Sequence, residues 1–227
     1  MPPALAARFP GEGTHLARYA RQLPAAEINS SFHRPHRPAT YARWAASVPP
    51  GFRFSVKLPR AITHTARLVG TDALVAAFLE GATGLGDALA VLLVQLPPSL
   101  PYDRAVADRF FGHLAAVSSA AIACEPRHPG WFTADADGHL AALGVARVAA
   151  HPVLVPGGED PGGWPGLRYH RLHGAPRLYY SPYEAAFLTA LAQRLRDRTA
   201  EQWCILDNTA AGAAAADALA LRDLLAA

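Results

Sequence analysis

The chain alternates short apolar runs with stretches of helical spacing, and that alternation is its strongest structural signal. Seven β-rich segments stand out: Ala25 to Asn29, Phe52 to Lys57, Ala90 to Gln95, Ala121 to Glu125, Ala146 to Ala150, Leu167 to His173 and Trp203 to Asp207. Between them, Tyr41, Trp44, Ala45 and Val48 fall at helical spacing after Pro38, and Val106, Phe110, Leu114 and Val117 do so after Asp103. Thr14 to Gln22 reads as a first helix. Ser181-Pro182-Tyr183-Glu184 reads as a capping box opening a helix carried by Phe187, Leu191 and Leu195, and Ala210 to Ala226 as a closing Ala/Leu helix. Strands alternating with helices predict a parallel sheet, and this many units without a nucleotide-binding glycine fingerprint favour a closed barrel over a doubly wound sheet. The glycine-rich stretch Pro156 to Gly166 reads as an irregular loop.

The expectation is therefore an α/β fold, a TIM-like (β/α) barrel forming one domain over residues 1–227. Its first strand is lacking, because Met1 to Glu12 is proline-rich and has no β-branched run before the first helix. Either the barrel is open by one strand or the natural start lies upstream of Met1.

Polar residues close the strands. In order these are Glu27 and Asn29, then Lys57, then Gln95, then Glu125 with Arg127 and His128, then His151, then Arg171 and His173, and last Asp207 with Asn208. In a barrel all these ends gather at one mouth, the face where such folds place their chemistry. Parity points the same way: Arg53, Ser55 and Lys57 share one strand face, as do Tyr169, Arg171 and His173. With the apolar parity facing the helices, the interior is expected to be a polar, hydrated well. In it Glu27, Glu125 and Asp207 would balance Lys57, Arg171 and Arg127.

Composition narrows the class. A chain that is 51% hydrophobic and 17% charged folds rather than staying disordered. Its longest apolar run, Ala88 to Leu96, is far short of a membrane span, and Pro2, Pro3 and Arg8 do not make an export signal, so a cytoplasmic protein is expected. Cys124 and Cys204 have no paired spacing and read as buried free thiols. The net charge of +3 conceals an asymmetry: residues 1–70 hold ten Arg and Lys against two Glu, a net of +8, leaving −5 for the rest. The plainer reading of that basic third is solvated arginine; the sharper one is a face for phosphate or nucleic acid. Among 21 basic side chains there is one lysine, Lys57, and the chain has two asparagines, Asn29 and Asn208. All three fall at predicted strand ends. A lysine retained in so arginine-rich a chain suggests a need for a compact ammonium.

The run Glu27-Ile28-Asn29-Ser30-Ser31-Phe32 is followed by Trp44, Pro50-Gly51-Phe52-Arg53-Phe54-Ser55-Val56-Lys57-Leu58-Pro59 and Ile62-Thr63-His64. With these segments the chain resembles the YecE-like family, domain of unknown function 72. Leu93 to Pro98, Glu125 with Arg127, His128 and Trp131, the turn Arg171-Leu172-His173-Gly174, and Asp207-Asn208-Thr209 extend the likeness along nearly the whole chain. The resemblance implies a TIM-like barrel related in shape to the xylose-isomerase and endonuclease IV folds, and it implies no settled reaction. Two departures stand out: members begin with a strand carrying a Gly-Trp pair that this chain lacks, and His33 stands where tyrosine is common.

Three readings of the mouth compete. As an enzyme, and then a hydrolase, Glu125 is general acid or base, Glu27 a second carboxylate, Lys57 and Arg171 an anion clamp and His173 a proton shuttle, with Asp207 beside them. Asn29, Ser30, Gln95, Arg127, His128, Trp131, Arg171 and Asn208 would line a pocket for a small anionic, phosphate-bearing or sugar-like ligand, with no cofactor. A metal site would draw on Glu27, Glu125, Asp207, His128, His151 or His173, but Lys57, Arg127 and Arg171 would repel a divalent ion, so none is expected. As a nucleic-acid binder, Trp131, Trp164, Tyr179, Tyr180 and Tyr183 would stack bases beside Arg34, Arg37, Arg60 and Arg127. For any single aromatic, ordinary packing is the plainer explanation, and His33 and His64 likewise read first as surface or packing residues.

Overall fold

A computed structural model describes residues 3–197 and 199–227. Its strands are β1 (Ala25–Ile28), β2 (Arg53–Lys57), β3 (Leu89–Gln95), β4 (Ala121–Glu125), β5 (Val145–Arg147), β6 (Ala149–His151), β7 (Gly162–Gly163), β8 (Leu167–Leu172) and β9 (Glu201–Leu206). Helices α1 (His15–Tyr19), α2 (Pro38–Ala46), α3 (Asp72–Ala82), α4 (Arg104–Val117), α5 (Ala134–Ala142), α6 (Ala185–Leu195) and α7 (Ala213–Ala226) alternate with them. All seven predicted strands are present. The glycine-rich loop is less irregular than expected, because β7 within it pairs antiparallel with β5.

Two sheets result. One runs β1-β2-β3-β4-β5-β7 and is parallel apart from β7; the other runs β6-β8-β9 and is wholly parallel. The predicted strand Ala146 to Ala150 joins them. Its first half pairs with β4, Val148 N–H still donates to Cys124 O at 2.8 Å, and its second half pairs with β8. Among the described residues no sheet closes on itself. The array ends at β1 and β9, whose edges face a cleft of about 830 Å³ lined by Tyr19, Ala25, Glu27, Trp203, Ile205 and Asp207.

Strand parity sorts the core. Phe54, Val56, Leu92, Val94, Ile122 and Cys124 pack outward with the helices, among them Phe78 of α3 and Phe110 of α4. The opposite parity of both sheets meets in an inner core of Val91, Leu93, Ala123, Ala146, Val148, Leu167, Tyr169 and Trp203, where the Tyr169 and Trp203 rings stack at 5.9 Å. The expected polar, hydrated well is thus corrected in two ways. Its lower part is apolar because these small and branched side chains fill it. Its upper part is polar and largely buried, the side chains of Glu125 and Arg171 each being 1% exposed.

The helix expected over Thr14 to Gln22 is shorter: Thr14 caps α1, its Oγ1 accepting from Ala17 N–H at 3.1 Å, and the helix stops at Tyr19. The capping box at Ser181 does not form. Ser181 Oγ instead accepts from Arg177 N–H, Tyr183 N–H donates to Asp217, and α6 starts at Ala185. Both cysteines are free, Cys124 buried and Cys204 partly so. No helix among the described residues is long and apolar enough to cross a membrane.

Trp131, expected at the rim, is a core residue. It is 1% exposed, its indole N–H donates to Leu100 O at 3.0 Å, and its ring meets Tyr102 edge-on. Trp131→Ala is expected to cost roughly 3–5 kcal/mol in urea unfolding. A loss below about 1 kcal/mol would show that the residue is not a packing anchor.

Candidate functional site

The carboxyl ends of β1, β2, β4, β8 and β9 bring one polar cluster together. At its centre lies Arg171. Its Nε and Nη2 donate to Glu27 at 3.1 and 2.7 Å, Nη1 donates to Glu125 at 2.5 Å, and Nη2 also reaches Asp207 at 3.1 Å. A guanidinium has five N–H donors in a fixed fork and no proton to lose, so three carboxylates from three different strand ends can share it. Arg127 holds the other oxygen of Glu125 through Nε and Nη2, at 3.1 and 2.8 Å. Beneath Glu27, the Tyr169 hydroxyl donates to Oε2 at 2.8 Å and lies 2.9 Å from Ser55 Oγ.

His173 stands at the edge of this network. Its Nδ1 is 3.2 Å from Asp207 Oδ2, while Nε2 is buried, lacks a hydrogen-bond partner and lies 3.7 Å from Glu125 Oε1. Burial alone would lower its pKa, but the hydrogen bond to Asp207 and the proximity of Glu125 outweigh it and raise the value. Burial would raise Glu125 and Asp207. Arg171, His173 and Arg127 overcome this and hold Glu125 well below the carboxylate range; His173 and Arg171 lower Asp207.

Lys57 differs from every other cation in the cluster. It is 9% exposed, and its Nζ lies 4.2 Å over the Phe32 ring, forming no ion pair with a described residue. Glu27, Glu125 and Asp207 are near enough to act on it electrostatically, but Arg171 already holds all three. Burial first, and then the charge of Arg171, lower its pKa from 10.5 to about 8.

Several expected site residues lie elsewhere or do other work. Asn29 does join the cluster, Nδ2 donating to Asp207 Oδ1 at 3.3 Å. Ser30 is exposed and pairs with His36. Gln95 sits beside Glu125 in register but donates to Leu96 O. His128 accepts from Gly130 N–H and caps the turn at 129–132, and Asn208 is buried, tying Ser181 O to Asp217. His151 and Tyr183 hydrogen-bond each other at 3.1 Å outside the cluster. Phe32 was not expected in the site, although it follows the Asn29-Ser30-Ser31 run; Tyr169 was placed by parity on the inner face but given no role. Among the described residues no group of three or more His, Cys, Asp or Glu side chains is arranged to hold a metal ion.

The fold and the cluster define an α/β protein with a buried ion-pair network, and one unpaired lysine, at the carboxyl ends of its strands. The chain belongs to the DUF72 family of proteins of unknown function, whose family model matches residues 6–227. A DUF72 family protein from Enterococcus faecalis superposes with a TM-score of 0.80 at 20% identity, covering 94% of this chain and 89% of that one. One from Thermotoga maritima does so at 0.75 and 22% identity, covering 90% and 85%. These likenesses establish the fold. No curated protein matches the chain.

The lowered pKa of Lys57 makes a prediction about stability. Between about pH 8 and 10.5 the unfolded chain keeps a proton that the folded one has released, so the contribution of Lys57 to stability rises with pH through that window. Below it the buried ammonium is a net cost. Lys57→Met is therefore expected to be more stable than the parent at pH 7, by on the order of 2–3 kcal/mol, with the advantage shrinking as pH climbs past 8. Urea melts of both proteins across pH 7–10 measure this; a pH-independent difference would contradict it.

Proposed function

We propose that the protein is a single-domain TIM-like (β/α) barrel, open between β9 and β1, that binds a small anionic ligand, phosphate-bearing or sugar-like, at the mouth of its strands. The barrel reading is supported by strand order, which apart from the antiparallel β7 runs in parallel sequence from β1 to β9, and by the one inner core that both sheets share. A strand-forming segment fused ahead of Met1 should enter the cleft and pair with both edges. The expected rise in melting temperature is about 2–4 °C per kcal/mol gained. No rise would remove the barrel reading.

The ligand reading rests on one observation: the carboxylates of the cluster are spent on Arg171, which leaves Lys57 without a counter-ion. Three carboxylates face Arg171, Arg127 and Lys57, so protonation of His173 gives the cluster a surplus positive charge. An incoming phosphate or carboxylate supplies the missing partner, with Arg127 beside Glu125 as a second contact. Arg171 is no longer free to clamp an anion. Glu125 likewise loses the general-acid role expected of it, because Arg171, Arg127 and His173 keep it ionised. A hydrolytic step here runs through His173, whose Nε2 gives its proton to the leaving oxygen while Asp207 orients the ring.

Exposed Arg34, Arg37 and Arg60, with half-exposed Tyr179 and Tyr180, favour the second reading, a non-catalytic nucleic-acid-binding protein. One titration series separates the two. Under the anion reading, glycerol 3-phosphate binds, Lys57→Met weakens it by about tenfold or more, and generic duplex DNA binds weakly with a shallow salt slope. Tight DNA binding that falls steeply with salt would install the second reading in its place.

A further inference from the structure

Resting on the anion-binding reading, we propose that Lys57 is a nucleophilic amine that forms an imine with the carbonyl carbon of a small anionic aldehyde or ketone, the open-chain sugar phosphates being the class that fits. The first support is compositional. Lys57 is the sole lysine among 21 Lys and Arg residues, so only this position carries a side-chain amine able to shed a proton and attack carbon. A guanidinium would supply the charge but not the lone pair.

The second support is geometric. Nζ ends the side chain of the last residue of β2, 4.2 Å above the Phe32 ring and without an ion-pair partner, which is unusual for a lysine only 9% exposed. Glu27 from β1, Glu125 from β4, Arg171 from β8, Asp207 after β9 and His64 in the turn after β2 are the charged and titratable groups around it. Arg171 absorbs the carboxylates that would otherwise fix Lys57 as an ammonium, and a desolvated lysine beside another cation is an activated one. At pH 8 about half of it is the free amine.

The third support is the proton carrier. The buried Nε2 of His173 has no hydrogen-bond partner among the described residues, with Glu125 Oε1 3.7 Å away, and Asp207 holds the opposite nitrogen. The neutral amine attacks the carbonyl carbon, forming a C–N bond as the C=O π pair moves to oxygen. That oxygen takes a proton from His173 and the nitrogen releases one. A second proton delivered to the oxygen lets the C–O bond break and water leave; loss of the remaining N–H proton, or its retention, gives the neutral or protonated imine. The net change is amine plus carbonyl to imine plus water, with no oxidant or reductant. The phosphate of the same ligand meets Arg127.

The test uses the full chain with glyceraldehyde 3-phosphate and sodium borohydride, which reduces any imine to a stable secondary amine. The N-terminal amine is the only competing site in this sequence, so peptide mapping assigns the adduct without ambiguity. At pH 7.5 trapping at Lys57 is expected to run on the order of a hundredfold faster in the native protein than in the urea-unfolded chain. Glyceraldehyde without phosphate should react at least about tenfold more slowly. His173→Gln should slow trapping by on the order of a hundredfold at saturating glyceraldehyde 3-phosphate. Lys57→Arg should bind glycerol 3-phosphate and yield adduct at the terminus alone. If the parent binds glycerol 3-phosphate yet is labelled only at its terminus, the imine is refuted and the anion site stands. If it neither binds nor is labelled at Lys57, both readings fall. Equal trapping in native and unfolded chains would also overturn the imine, since the fold would then contribute nothing.

Discussion

One guanidinium governs the chemistry of this molecule. Arg171, 1% exposed, is held by Glu27, Glu125 and Asp207, which come from the ends of β1, β4 and β9. Moving four charges out of water carries a large desolvation cost, and only close, hydrogen-bonded geometry offsets it. The contacts of 2.5–3.1 Å meet that condition. The arrangement also ties Arg171 on β8 to β1 and β4, with which β8 does not pair, crossing from the smaller sheet to the larger and spanning the side where the array is open. It also decides which charges remain available to Lys57 and His173.

The layering beneath has the same logic. Tyr169 joins the two regimes: its ring stacks on Trp203 in the apolar inner core and its hydroxyl supports Glu27 from below. The ion-pair network therefore rests on a packed floor rather than on solvent, which keeps the local dielectric low and the pairs strong.

Much of this was legible in the residues. All seven strands follow from apolar runs and turn punctuation, and inner parity picked out Ser55, Lys57, Tyr169 and Arg171 correctly. What parity cannot convey is stoichiometry. Glu125 and Arg171 were visible as strand-end charges, but nothing in one dimension says that a single arginine would serve three acids. Trp131, His128 and Asn208 were misplaced for a different reason. Each spends its polar atoms on loop backbone or on Asp217, a pairing that position along the chain does not reveal. The capping box at Ser181 failed because a more distant carboxylate, Asp217, took the backbone donor that local pattern assigns to the helix.

Asp207 occupies a peculiar place in the wiring. One of its oxygens accepts from Asn29 across the unzipped flank between β1 and β9, and the other serves Arg171 and His173. A displacement of that flank by an ångström would drag this carboxylate and, with it, tilt the imidazole. Wall and imidazole are in this sense a single lever, with Asn29 at one end and the ring nitrogen at the other.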